Sequence, residues 1–244
     1  MPYPDLESGI RSVLTILRAD ANPTAVEFIQ RDVVKLGEDF SGVRYPRPDA
    51  GSYILLTFDG RKTEVESALE GIRAEAMRTG ALEFITLDDP DYAADIWKVR
   101  GALVKAVEAT SEQEPVDIVV PISKTAEFIR FVRRTEQETG IQMVSFGHAG
   151  DGNVHLCVVR GDRDEETWHR ELRAAMEKVY GKAHELGGVT SGEHGIGLSK
   201  RHYFLRETAK ENLTAMNRIK DALDPKHILN DKKSYILEGC ENDA

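Results

Sequence analysis

Asp151-Gly152, set between two apolar runs, constrains this chain more than any other dipeptide in it. Gln142 to His148 and Asn153 to Arg160 alternate as half-buried strands do, and Asp-Gly is a favoured two-residue connection between antiparallel neighbours. The spacing predicts a hairpin in which Gly150 pairs with Asn153, Ala149 with Val154 and His148 with His155. The two histidines then stand opposite one another on one face, with Cβ atoms roughly 4.5–5.5 Å apart. Two imidazoles that close can reach a single divalent ion.

The same period-counting places the other elements. Helical spacing runs from Leu6 to Ala19, Lys62 to Thr79, Asp89 to Thr110, Asp164 to Leu186 and Glu207 to Leu223. Ser123 is a candidate N-cap for a helix that Gly140 closes. Strands are expected at Thr24 to Gln30, Ser52 to Phe58, Ala81 to Leu87 and Val116 to Pro121, with a loop from Gly37 to Gly51. The recurring split strand-helix-strand order predicts an α+β fold. Its antiparallel sheet carries helices on one side and is built from two ferredoxin-like halves side by side. One unit over 1–244 is expected, with halves at roughly 1–115 and 116–200 and a helical tail over 201–244.

A net charge of -10 on 244 residues excludes the clustered Lys and Arg of a nucleic-acid surface. Cys157 and Cys240 fit no disulfide or metal spacing, the start of the chain has no signal-peptide pattern, and no run is apolar enough for a membrane span. A reducing cytoplasmic setting is expected. No GxGxxG follows a strand and no GxxxxGK[ST] occurs, so no nucleotide-phosphate loop is expected.

A second polar, glycine-rich stretch, GGVTSGEHGIGLSK from Gly187 to Lys200, answers the hairpin. Two neutral imidazoles leave a dication short of ligands, and the Glu193 carboxylate completes a set with open positions. Zinc, manganese and ferrous iron accept such a set. If Glu193 faces the metal, its neighbour His194 is free to face a substrate proton. Taken singly, each part has a plainer reading: a surface histidine pair, a turn aspartate, a loop capping a helix. Together they point to a site. Arg100, taken alone, is a solvated helix residue or a carboxylate clamp. His169, His184 and His227 lie in strongly charged surroundings and are expected at the surface.

GHAGDGNVH, then GGVTSGEHGIGLSKRHYF, then MNRIKDALDPKHILN, resemble the C-terminal part of the FAD-linked oxidases. This is the flavin-dependent D-2-hydroxyacid dehydrogenase group, with glycolate oxidase flavoprotein subunits, D-lactate dehydrogenases and D-2-hydroxyglutarate dehydrogenases. TAVEFIQ and DIWKVRGAL extend the likeness over nearly the whole chain. The resemblance implies metal ligation by His148, His155 and Glu193 and a base in His194. It also implies substrate contacts from Asn153 and, at the carboxylate, from Arg100, with Asn230 approaching the flavin. Two departures are visible: Asp231-Lys232-Lys233 stands where the family has Pro-Gly-Lys, and Val104 where some members carry a substrate-contacting threonine.

The implied activity is oxidation of a small 2-hydroxy acid, with FAD held by an N-terminal domain that is absent here and supplied by a longer chain or a partner subunit. Zinc is the foremost metal, and a second copy of the chain is a further candidate partner. Two other classes stay open: a stand-alone metal-dependent hydrolase and a non-catalytic hydroxyacid-binding subunit.

Overall fold

The computed structural model describes residues 1–19, 21–230 and 233. β1 (Pro2–Tyr3) leads into α1 (Leu6–Leu17), β2 (Ala25–Gln30), α2 (Arg31–Ser41), β3 (Ser52–Thr57) and α3 (Lys62–Arg78). α4 (Pro90–Glu108) carries the chain on to β4 (Gln113–Val119) and α5 (Thr125–Thr139). The hairpin of β5 (Gln142–His148) and β6 (Asn153–Val159) follows, then α6 (Glu165–Glu185), α7 (Arg201–Glu207) and α8 (Lys210–Leu223). No helix among the described residues is long and apolar enough to cross a membrane.

Local chemistry sets the helix ends. Asp5, Asp89 and Asp164 cap α1, α4 and α6 by accepting backbone N–H groups, and Pro90 opens α4. Gly140 ends α5 in the left-handed conformation at φ 70°. Ser123 is not the cap expected of it. It lies in a short 3₁₀ turn, Ile122–Lys124, and α5 starts after it.

The strands form one six-stranded antiparallel sheet in the order β1-β3-β2-β5-β6-β4. Each half repeats a ferredoxin-like plan around the central β2–β5 pairing. In the first half the strand after α3 is reduced to one bond, from the Leu82 N–H to the Pro2 carbonyl at 2.8 Å. In the second half it is reduced to a bridge between Val119 and Val189. The expected strand at Ala81 to Leu87 is therefore not one. The strand beside it is the two-residue β1, too short to supply a ladder.

Helices α1, α3, α5 and α6 cover one face of the sheet, as the duplicated halves require. Ile10, Ile72, Phe128 and Trp168 meet Phe28, Ile118, Leu156 and Val158 there. The expectation that every helix lies on that side needs correction, because α2 and α4 pack on the other face. Val33, Val34, Val99 and Leu103 bury Ile29, Val144, Phe146 and Cys157 beneath them. The sequence reads as a loop from Gly37, yet α2 continues to Ser41. Gly37 sits where α2 presses on α4: a Cβ there would lie 3.0 Å from Val99 and Leu103. Its lack of a side chain serves close packing, not a turn. These two helices cover only part of their face, and the site lies on the remainder.

Candidate metal and substrate site

The hairpin forms, but in a different register from the simplest one. His148 pairs with Asn153, Gly147 with Val154, and Phe146 with His155. The loop thus spans 149–152, because the flanking strands claim its polar groups. Gly150 donates its N–H to Val26 of β2, and Gly152 accepts from the Val120 N–H just past β4. His148 and His155 are consequently diagonal neighbours instead of facing each other. The shift equals two residues, so neither side chain changes face. Their ring centroids are 5.2 Å apart.

Gly152 holds φ 76°, and a Cβ there would collide with the Val120 carbonyl oxygen. Gly152→Ala is expected to cost about 2–3 kcal/mol through the left-handed backbone and that collision. A chemical denaturation midpoint unchanged from the parent would contradict it.

Behind each histidine, the next strand out contributes a carboxylate at the paired position. Glu27 of β2 is the register partner of His148, and Asp117 of β4 that of His155. Glu27 Oε1 lies 2.6 Å from His148 Nδ1. Asp117 Oδ1 lies 3.7 Å from His155 Nδ1. Both Nε2 atoms turn the other way, towards Glu193 Oε1, at 3.4 Å from His148 and 3.3 Å from His155. His194 stacks on His155 with centroids 5.1 Å apart, and its Nε2 is 3.9 Å from Glu193.

Asp117 places the loop that carries Glu193 and His194. It is fully buried, and its Oδ2 accepts from the Ser191 hydroxyl and from the N–H groups of Gly192, Glu193 and His194, at 2.8, 3.0, 2.9 and 2.8 Å. Lys200 Nζ stands 3.7 Å away. Burial alone would raise this carboxyl. The His194 and Glu193 N–H groups, the Ser191 hydroxyl and the Lys200 charge outweigh burial and hold it well below the usual carboxylate range. Consecutive N–H groups folded round one anion make a nest, here with the anion built in.

Burial first, then the neighbouring His148 and His194, push His155 down to about 4 against the pull of Asp117 and Glu193. A neutral imidazole with a free nitrogen is what metal ligation needs.

Arg100 reaches the cluster from α4. Its Nε and Nη2 donate to Glu27 Oε2 at 3.1 and 2.7 Å, and its guanidinium lies 5.6 Å from the Phe146 ring centre. It is thus ion-paired and mostly buried, not the solvated face residue that it resembles in isolation. Asn153, paired with His148, is buried on the same face, and its Oδ1 has no hydrogen-bond partner among the described residues. Asn230 is not brought to the cluster. It is exposed in the turn after α8 with φ 50°, and no hydrogen bond or ion pair joins it to these side chains among the described residues. His169, His184 and His227 are at the surface as expected.

The donors suit a divalent cation. One ligand atom apiece from Asp117, His155, Glu193 and His194, a carboxylate oxygen or a ring nitrogen, lies within 4.8 Å of the other three, and His148 Nε2 faces Glu193 Oε1. Asp117 Oδ1 and His155 Nδ1 are buried beside one another with no hydrogen-bond partner among the described residues. Two carboxylates, Glu27 and Asp117, were missed by motif reading. The available signal was a lone acid inside an apolar strand, TAVEFIQ and VDIVVP, which demands a buried partner.

A doubled ferredoxin-like sheet with a histidine–carboxylate cluster at one end defines a class of α+β domain. The chain belongs to the FAD linked oxidases, matching their C-terminal domain over residues 1–234. It is 38% identical over 240 residues to a D-lactate dehydrogenase of Anaerostipes hadrus, covering 96% of this chain and 50% of that protein. It is 29% identical over 240 residues to glycolate oxidase subunit GlcD of Bacillus subtilis, covering 97% and 50%. The chain spans about half the length of the curated relatives it matches. Among solved structures, 4-ethylphenol oxidase from Gulosibacter chungangensis shares the fold with a TM-score of 0.68 at 16% identity, over 96% of this chain and 52% of that one. p-Cresol methylhydroxylase does so with the same TM-score at 12% identity, over 96% and 52%.

Proposed function

We propose that this chain is the substrate- and metal-binding half of a flavin-dependent oxidoreductase that converts a small D-2-hydroxy acid, of the glycolate or D-lactate kind, to the 2-oxo acid. The names of its relatives support that substrate class. The other half of the machinery, holding FAD, lies in a longer chain or on a partner subunit, in a cytoplasmic setting. Residues 1–244 act as one substrate domain with two α+β halves and a tail over 201–244 that is helical as far as Leu223, residues 231–232 and 234–244 lying outside the described residues.

The observation that carries this reading is the meeting of two histidine Nε2 atoms on one Glu193 oxygen, at 3.4 and 3.3 Å, one carboxylate away from Arg100. His148, His155 and Glu193 are the residues that would hold the metal, zinc foremost, with manganese and iron as alternatives. When bound, the metal supplies Lewis-acid polarisation of the substrate hydroxyl and FAD supplies a hydride acceptor. Arg100 binds the substrate carboxylate, using the guanidinium edge that Glu27 leaves over. Asn153 orients the substrate through its unpartnered Oδ1. His194, half exposed beside the cluster, takes the hydroxyl proton. Asn230 is assigned to the flavin side.

Elemental analysis after zinc loading tests the ligand set. The parent chain should hold stoichiometric metal and His148→Ala should hold none. Stoichiometric metal in His148→Ala would remove His148 from the set. The activity is tested with a flavin-loaded half from a relative: D-lactate should bleach the flavin only when this chain is added, and the reading fails if the flavin stays oxidised with both present.

A further inference from the structure

Glu27 is buried to 5% exposure on β2, between Val26 and Phe28, whose side chains enter the opposite core. An ionised carboxylate there is costly unless both oxygens find partners. They find two different ones. Oε1 meets His148 Nδ1 at 2.6 Å, while Oε2 takes both Nε and Nη2 of Arg100. One side chain therefore joins the residue read as a metal ligand to the residue read as the carboxylate clamp.

The three groups stand on a strand, its paired strand and a helix packed across them, not on loops. A site so mounted keeps its geometry without a ligand. The 2.6 Å contact to a carboxylate, an acceptor only, favours the His148 tautomer with its proton on Nδ1, and the longer 3.4 Å approach to Glu193 leaves Nε2 as the nitrogen for a metal. On the other side, Glu27 uses the Nε and one Nη2 hydrogen of Arg100. That leaves the Nη1 edge of the guanidinium for an external carboxylate.

We propose that Glu27 is a positioning residue for this site, fixing the His148 tautomer for the metal and the orientation of Arg100 for an acid substrate through a single buried carboxylate. The inference rests on the ligand reading of His148 given above. A purely structural ion pair would need neither the histidine contact nor a defined tautomer.

Glu27→Gln keeps the volume and removes the charge. In metal-free protein at alkaline pH, nitrogen NMR of ring-labelled histidine should show His148 protonated on Nδ1, its signal identified by loss in His148→Ala. Glu27→Gln should move the population towards the Nε2-protonated form and weaken Zn²⁺ binding, measured against a competing chelator, by about 10–100-fold. Because this variant strips Arg100 of its counter-charge, Glu27→Gln with Arg100→Met is measured beside it. Zn²⁺ affinity should stay low in the double variant.

Recovery of affinity in the double variant, or a His148 tautomer and Zn²⁺ affinity equal to the parent's in Glu27→Gln, overturns the proposal. Stoichiometric metal in His148→Ala overturns the ligand reading alone. The tautomer is read without metal and still decides the role of Glu27 in that case.

Discussion

Replacing Asp117 with alanine is expected to lower the melting temperature by about 6–20 °C and to abolish metal retention together. The carboxylate is fully buried, and its Oδ2 receives Ser191, Gly192, Glu193 and His194. Hydrogen bonds to a charged group contribute about 1.5–3 kcal/mol each in favourable cases, but they are not additive when one atom serves them all. The better bound is the removal of one side of a buried charged network, about 3–5 kcal/mol. At about 2–4 °C per kcal/mol for a chain of this size, that yields the stated range. With the anion gone, three consecutive N–H groups lose their acceptor, the nearby Lys200 loses its counter-charge, and Glu193 is no longer held beneath the histidines.

Asp117→Asn separates the two effects. Its amide oxygen can occupy the place of Oδ2 and keep the loop, while its NH₂ then faces His155 Nδ1, where Asp117 Oδ1 stood 3.7 Å away. The loop should survive with a smaller thermal loss, and Zn²⁺ binding should weaken by about 10–100-fold because a negative charge behind His155 is replaced by a neutral amide. Circular dichroism melts and a chelator competition measure both. If Asp117→Ala melts within a degree or two of the parent, the loop is held by something other than this anion.

The second large effect is expected far from the site. Glu38 of α2, 3% exposed, accepts Arg31 Nη1 and Nη2 at 2.8 and 2.9 Å and the Tyr45 N–H at 2.9 Å. Arg31 is itself 8% exposed, and its other bond is to the Tyr53 hydroxyl at 3.2 Å. Glu38→Ala leaves a buried guanidinium with one neutral partner and frees the chain after α2 at Tyr45. The expected cost is again about 3–5 kcal/mol. Arg31→Met with Glu38→Leu, which removes both charges, should recover most of it. The comparison of the single and double variants in urea unfolding is the check. A single variant no less stable than the double would show that the pair contributes packing alone.

The two large effects differ in how far they could be read beforehand. Glu38 falls inside the stretch from Gly37 that looks like a loop, since glycine and acids break the helical period there. The packing of Gly37 against Val99 and Leu103, and the pairing of Glu38 with Arg31 seven positions back, are tertiary and longer-range contacts that the local pattern does not show. Asp117 looks like a misplaced charge in VDIVVP until the loop that folds round it is seen. In the same way Ala81 to Leu87 alternates as a strand should. It lacks one because a strand exists only where a neighbour presents matching groups.

What the chain determined by itself is whatever repeats over a few residues. Period two placed His148 and His155 on one face of a hairpin, and that conclusion survived a register shift because the shift was even. Capping residues set the starts of α1, α4 and α6, and the glycine-rich loop marked Glu193 and His194 as the polar pair that meets the two histidines. Tertiary structure decided which groups stand behind those side chains. Glu27 and His148 are 121 positions apart, and Asp117 meets Ser191 across 74. No local pattern ties such pairs together. They become neighbours only when β2 joins β5 and the chain after α6 bridges β4 at Val119 and Val189, where burial leaves a carboxylate no water and obliges it to bind the nearest imidazole, guanidinium or backbone N–H.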